Sequence, residues 1–392
     1  MTVSPPRSAT AVSDARKVNV LLMTTGLGIG GAEIVVRDLA RSIDRRRFNV
    51  SVCCLKELGP VGEQLVGEGI DIVALKEKGQ QHVDYFTFLR VRRLIRDRQI
   101  DVVHSHTAHG LADSCLCRFL VPGLRVVHTF HFGNYPHTNK TVLRLERIFS
   151  RLADRLVAVG NVQSEQIRNV YGLRKGRIQT VWNGVSPSNA TPDEGFRKKI
   201  GAGGRVLVGT IATLIEQKGL RDLLKVARRC RDAGVEVHFV IVGDGGLRQE
   251  LESLRDQMGL GDAVTFTGWV KNASEAALPS FDIYFQPSLW EAMSIAILEA
   301  MAAAKPVVAT RVGETPHILE EGADGLLAEV GDIEAMAAAI AKLARDPELR
   351  RRLGSFGRQK ALERFTVSHM TGDYESMYLD VLGRRQADVA ER

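Results

Sequence analysis

Glu291 and Glu299 stand eight residues apart around the almost wholly apolar stretch Ala292–Leu298. The strand-like run Phe281–Pro287 precedes them and Ala296–Ala303 has helical character, so the two carboxylates straddle a helix start. The first amides of a helix lack partners and its positive end favours anions, so the backbone at Met293, Ser294 and Ile295 suits a diphosphate. Glu299 suits the paired hydroxyls of a ribose, and Glu291 a sugar hydroxyl or a developing positive charge. Further upstream, Lys218 ends a loop just before a helix, where its point charge can meet phosphate oxygens. An exposed loop lysine is the plain alternative. Gly243 and Asp244 belong to Val242-Gly-Asp-Gly-Gly246, a strand-end glycine turn built for close backbone approach or simply for tight turning.

Near the start, Gly26, Gly28 and Gly31 satisfy G-x-G-x-x-G, with Gly30 beside them. The motif lies between a strand and a helix. It fits a dinucleotide site, a sugar-nucleotide cleft or a tight strand-to-helix turn. Histidines gather in the same half, in Asp101-Val-Val-His104-Ser-His106 and Val127-His128-Thr-Phe-His131. The H-x-H and H-x-x-H spacings end strands and have no accompanying cysteines, so they read as a polar cleft lining rather than a zinc site. The chain has no D-x-D pair to hold a divalent ion on a diphosphate. Metal-independent chemistry with no cofactor is the expectation.

These groups need a scaffold that brings loops together from distant parts of the chain. Short β-rich runs alternate with amphipathic helical stretches throughout, the pattern of βαβ units and parallel sheets. In the first half the strands read Val18–Thr24, Asn49–Leu55, Asp71–Leu75, Val102–His104, Val126–Phe130 and Leu156–Val159. Ile178–Val181 follows and ends at Asn183-Gly184, a turn signal. The second half restarts with Val206–Ile211, then Glu236–Val242, Val264–Phe266, Ile283–Phe285 and Val307–Thr310. Helices fall between, among them Ala32–Ser42, Gly219–Ala233, Leu247–Gln257 and Ala335–Ala344. Pro187, Pro192, Gly201, Gly203 and Gly204 mark a linker. The expected fold class is α/β with two Rossmann-like domains, 18–190 and 191–365, facing across a cleft. Residues 366–385 form a closing helix and 1–17 a disordered tail.

The composition agrees: 392 residues, 44% hydrophobic and 25% charged, exclude collagen-like, coiled-coil and low-complexity classes. Five cysteines without C-x-x-C pairs read as buried thiols of a reduced, cytoplasmic protein. No stretch is long and apolar enough to span a bilayer. The net charge of +7 sits in the first half. Phe88–Arg98 reads there as a basic amphipathic helix, with a second basic stretch at Lys140–Arg155. An anionic membrane face is one partner such a surface suits; the alternative is a solvated helix with Leu89 and Leu94 packed inward.

The order G-G-A-E, H-T-F-H, N-G-V, E-Q-K-G, V-G-D-G and E-x7-E, running from Val18 to Leu382, resembles glycosyltransferase family 4. These are retaining GT-B enzymes that use nucleotide sugars. The resemblance implies that Gly30 and Gly31 approach the donor diphosphate and sugar, and that His131 lies beside the donor sugar. By the same match Lys218 binds the diphosphate, Glu291 contacts the donor sugar and Glu299 binds the ribose. Met293–Ile295 correspond to the phosphate cradle. Departures are Ala212-Thr213 where Gly-Arg is frequent, Ala292 where glycine is common, and His317 where a glutamate is frequent.

The expected activity is hexosyl transfer from a UDP- or GDP-linked sugar to a glycan or lipid-linked acceptor, in polysaccharide or glycolipid synthesis. The enzyme is expected in the cytoplasm or peripherally at the inner membrane face, with no nucleic-acid partner. Rival classes are a nucleotide-sugar epimerase, a nicotinamide-dependent oxidoreductase with Glu57 as ribose ligand, and a glycan-binding protein. The last is poorly supplied with aromatic platforms, at 6% aromatic residues.

Overall fold

The computed structural model describes residues 16–28, 30–56, 58–75 and 86–383. Among them, seven strands form a first sheet: β1 (Val18–Thr24), β2 (Phe48–Cys54), β3 (Asp71–Ala74), β4 (Val102–Ser105), β5 (Arg125–Phe130), β6 (Arg155–Ala158) and β7 (Ile178–Thr180). Their order is β3-β2-β1-β4-β5-β6-β7, and every pair is parallel. Six form a second: β8 (Val206–Ile211), β9 (Val237–Val242), β10 (Val264–Gly268), β11 (Ile283–Gln286), β12 (Val307–Thr310) and β13 (Gly325–Ala328). Their order is β10-β9-β8-β11-β12-β13, again all parallel. β1 and β9 show why these runs become central strands. VNVLLMT and VHFVIV are almost unbroken apolar sequences rather than alternating ones, as strands covered on both faces require. Gly325-Leu-Leu-Ala was not legible as a strand; it is short and unbranched, and becomes one by pairing with β12.

In both sheets the strand order reverses once, between β1 and β4 and between β8 and β11. Ligands of doubly wound sheets bind at this switch point, beyond the carboxyl ends of the strands. The loops there include 25–28 and 106–107 in the first lobe, and 212–219 and 287–294 in the second. Each motif singled out from the sequence near a strand end thus falls at or beside a crevice.

The chain crosses between lobes twice. Asn183-Gly184 is not a turn. Val185 runs on to pair in parallel with Thr366, its amide bonding Phe365 O at 2.8 Å. A Cβ on Gly184 would lie 2.4 Å from Thr366 O, so glycine serves close approach there, not chain reversal. After the second crossing, the Val367–Val381 helix packs Met370, Tyr374, Met377 and Tyr378 into the core of the first lobe. Residues 1–15 and Glu57 lie outside the described residues.

Candidate active site

Glu291 follows β11 in the crevice of the second lobe, and is 6% exposed. Its Oε1 lies 2.6 Å from Lys218 Nζ. The same oxygen accepts from Ser288 Oγ at 2.8 Å and Gln286 Nε2 at 3.3 Å, while Oε2 accepts from Gln217 Nε2 at 3.2 Å. Two loops meet here because Gly219 permits it. Its φ of +62° is left-handed, and a Cβ would lie 1.8 Å from Pro287 O. Only glycine lets the Lys218 loop press so closely on the end of β11. Gln217 O also takes the Leu289 amide at 2.8 Å. Gln217, Gln286 and Ser288 were missed from the sequence. Their only signal is proximity to Lys218 and Glu291, since polar residues near strand ends are common.

The helix after Glu291 spans Ile295–Ala302. Ser294 caps it, its Oγ accepting from the Ile297 amide at 3.3 Å. Among the described residues no acceptor takes the amides of Met293, Ser294 or Ile295, which leaves them for an anion. The Met293 carbonyl accepts from Asn183 Nδ2 at 3.2 Å and so ties this loop to the inter-lobe crossing. Glu299 lies on the second turn. Burial pushes its carboxyl up to about 7, with nearby Arg37 opposing and Asp38 adding to the shift. Arg37 and Asp38, themselves paired at 2.8 Å, belong to the Gly31–Ser42 helix of the first lobe, so this end of the site is closed from across the cleft.

The Gly31–Ser42 helix faces the Ile295 helix. A Cβ on Gly31 would lie 3.7 Å from Ile295 Cδ1. Gly30 is extended, and Glu33 folds back over it, 2.5 Å from where a Cβ would be. His131, just past β5, is pushed down to about 4 by burial. Its Nε2 lies 2.9 Å from His106 Nδ1. Gly133, two residues on, presses against the second lobe; a Cβ there would sit 2.4 Å from the Ala292 amide. The structure therefore brings Gly30, Gly31, His131, Lys218, Glu291, Met293, Ser294, Ile295 and Glu299 to one cleft.

Gly243 and Asp244 support this cleft from the end of β9. Gly243 has φ +137° and fits against Ala212 O, which a Cβ would approach to 2.0 Å. Asp244 accepts from the Gly245 amide at 2.8 Å and pairs with Arg248 at 3.2 Å, so its carboxylate is engaged within its own loop. His104 stands apart from the cleft, whereas His128 lines a neighbouring cavity together with His106, His131 and His137. His104 is fully buried between Tyr378 and Thr129, at 2.7 Å from each. Among the described residues no group of three metal-ligand side chains converges. One residue of the V-G-E-T-P segment acquires a role visible only in three dimensions. Glu314, from the second lobe, accepts from Val162 N at 3.1 Å and Asn161 Nδ2 at 3.0 Å, capping the Asn161–Tyr171 helix of the first.

Two facing doubly wound sheets, with a lysine, a buried glutamate and a helix start at one switch point, define a GT-B architecture. The family described as glycosyltransferase family 4 matches residues 29–189, and that described as glycosyl transferases group 1 matches residues 193–360. The chain belongs to glycosyltransferase family 4 and is a glycosyltransferase. It is 26% identical over 289 residues to the lipopolysaccharide core biosynthesis glycosyltransferase LpsD of Rhizobium meliloti, covering 74% of this chain and 78% of the relative. It is 25% identical over 372 residues to an Escherichia coli UDP-Gal:alpha-D-GlcNAc-diphosphoundecaprenol alpha-1,3-galactosyltransferase, covering 90% and 95%. Anabaena HepE, solved with UDP and glucose, shares the fold with a TM-score of 0.81 at 21% identity, over 91% and 98% of the two chains.

Proposed function

We propose that the cleft transfers a hexosyl group, with retention, from a UDP-linked donor to a glycan or lipid-linked acceptor held by the first lobe. The observation that carries this is the convergence of Lys218, Glu291 and the start of the Ile295–Ala302 helix opposite Gly30–Gly31. The diphosphate lies on the Met293–Ile295 amides, Lys218 meets its oxygens, and Glu299 takes the ribose hydroxyls. Glu291 and His131 hold the donor sugar. The hard step is cleavage of the bond between the anomeric carbon and the phosphate oxygen. Fixed amides and a lysine stabilise the departing charge at no reorganisation cost. Retention follows from acceptor attack on the face that the diphosphate leaves. A UDP donor is supported by the ligands named for HepE and for the Escherichia coli relative.

The reading extends to metal independence and to a place at an anionic membrane surface. Metal independence rests on the lysine and amides, which supply positive charge without a carboxylate pair. The membrane reading rests on the outer face of the first lobe. Neighbouring helices there expose Phe86, Leu89, Phe119, Leu120 and Ile148, between 45% and 68%. Arg93 and Arg96 are exposed on the Thr87–Asp97 helix, and Arg144 and Arg147 belong to the Lys140–Phe149 helix. Of the two leucines that the solvated-helix alternative packs inward, Leu94 packs on the core and Leu89 is 45% exposed. No helix among the described residues is long and apolar enough to cross a membrane.

A thermal-shift screen of UDP-, GDP-, ADP- and TDP-sugars tests the donor, because a ligand bound only to the folded state raises its melting point. The UDP-sugar should give the largest shift, and a larger GDP-sugar shift would overturn that assignment. Turnover should persist in excess EDTA; abolition with rescue by magnesium or manganese would overturn metal independence.

A further inference from the structure

A cavity of about 260 Å³ opens in the first lobe beside His131. It lies between the start of the Ala108–Leu120 helix, the end of β5 and the Lys140–Phe149 helix. Of the residues given donor roles, His131 alone lines it. Residues that line it hold buried polar atoms without hydrogen-bond partners among the described residues. His106 Nε2 and His128 Nε2 make no hydrogen bond, although these residues are only 4% and 1% exposed. His137 Nε2 is also unbonded, standing 3.4 Å from Glu146 Oε1. Natural interiors seldom leave such groups unpaired, so their gathering at one cavity points to a ligand that pairs them.

The chemistry of the walls limits that ligand. Among the described residues no lysine or arginine lines the cavity, whereas the carboxyl-bearing Glu146 does, 5% exposed and accepting from the Tyr171 hydroxyl. Burial pushes His128 down to about 3 and His131 to about 4, and holds His106 well below its ordinary range, so these three imidazoles are neutral. A phosphate or carboxylate would meet no fixed cation. The Thr107 hydroxyl caps the Ala108 helix, accepting from Gly110 N at 3.2 Å. In a neutral imidazole one ring nitrogen donates and the other accepts, so a free Nε2 takes either role according to tautomer and matches hydroxyl groups that do both. Phe132 and His137 stack at 4.0 Å, with planes 16° apart, and give the cavity an aromatic wall.

We propose that this cavity holds one uncharged sugar ring of the acceptor, next to the donor sugar. Its hydroxyls pair with His106, His128 and His137, and its C–H face lies on the Phe132–His137 stack. The proposal rests on the reading of the first lobe as the acceptor side, and it assigns the acceptor's recognised end to a neutral saccharide rather than to a phosphate.

Saturation-transfer NMR on the full chain, with methyl glycosides of glucose, galactose, mannose and N-acetylglucosamine, tests it. At least one glycoside should show transfer in the wild type. V142W fills the cavity and should abolish it; F132A removes half of the aromatic wall and should weaken it severalfold. A UDP-induced melting shift in each variant shows that the fold is intact, and F132A decides alone if V142W does not fold. No transfer from any glycoside, equal transfer in wild type and V142W, or tighter binding of glucose 6-phosphate than of methyl glucoside would overturn the proposal. With an acceptor substrate in hand, V142W should raise its KM at least tenfold. If glycoside binding is lost in V142W while the acceptor KM stays unchanged, the cavity binds sugar but the acceptor-side reading fails.

Discussion

Lys218 and Glu291 neutralise one another across 2.6 Å in the free cleft. A buried pair of this kind is held by added hydrogen bonds more than by its own Coulomb attraction, and Ser288, Gln286 and Gln217 supply them. Lys218→Ala should lower kcat by roughly 10²–10³, the usual loss for one preorganised group facing developing charge. Steady-state kinetics at saturating donor check this; a change in KM alone would assign Lys218 to binding. Glu299 lends itself to a pH test. Its carboxyl titrates near 7 in the free protein. In the proposed role ribose hydroxyls would donate to it, so binding would favour the ionised form and release a proton. UDP affinity should therefore rise about tenfold from pH 6 to pH 8. Glu299→Gln should cost about 2 kcal/mol of binding at pH 8 and flatten the profile. Calorimetry reads both, and affinity that falls with pH would contradict the role.

Loops and helices, rather than single groups, decide how the two halves meet. Gly133 touches the Glu291–Ala292 backbone at a distance that leaves no room for a methyl group. Gly133→Ala should hold the lobes apart while each keeps its own core. Small-angle scattering should show a larger radius of gyration, and turnover should fall because a cleft that stays open admits water and misplaces the reacting atoms. An unchanged radius with full activity would show that the loop yields at little cost. On the outer face, the Thr87–Asp97 and Lys140–Phe149 helices combine arginines with exposed apolar side chains. Each basic residue near an anionic leaflet contributes roughly 1 kcal/mol. Flotation with anionic liposomes should succeed at low salt, weaken as salt rises, and drop when Arg92, Arg93 and Arg96 become Glu. Equal recovery on neutral vesicles would exclude this electrostatic attachment.

At the scale of the whole molecule, the buried histidines tie folding to pH. His104, His106, His128 and His131 all titrate below their ordinary value of 6.5, mainly through burial. The unfolded chain takes up protons below pH 6.5 that the folded chain refuses, so this stability is full above 6.5 and is lost as pH falls toward 4 and 3. A displacement of His131 to about 4 corresponds to roughly 3 kcal/mol. Glu299 acts in the opposite sense between pH 7 and 4.5, as do the raised carboxyls of Glu33 and Asp373, while burial pushes His238 down to about 4 and adds it to the four imidazoles. The melting temperature should fall from pH 6.5 to pH 4.5 in circular dichroism. A flat profile would mean that the imidazoles accept protons without unfolding.

The sequence by itself determined the alternation of strands and helices and the parallel sheets, and it singled out residues that the fold brings to one cleft. Strands buried on both faces must be apolar throughout, and a backbone that approaches an anion must be glycine or a helix start; both leave marks in local sequence. Glu291, Glu299 and Lys218 were legible for that reason. Other features were set only by the tertiary structure, because they join residues far apart in the chain. Asn183-Gly184 looked like a turn and is a crossing that runs beside Thr366. Leu89, inward only in the solvated-helix alternative, faces out, since helical periodicity gives a face without saying what covers it. Glu314 caps a helix more than 150 positions away. The unpaired imidazoles around the first-lobe cavity have no local signature at all. A histidine becomes unsatisfied only when the fold has buried it and supplied no partner.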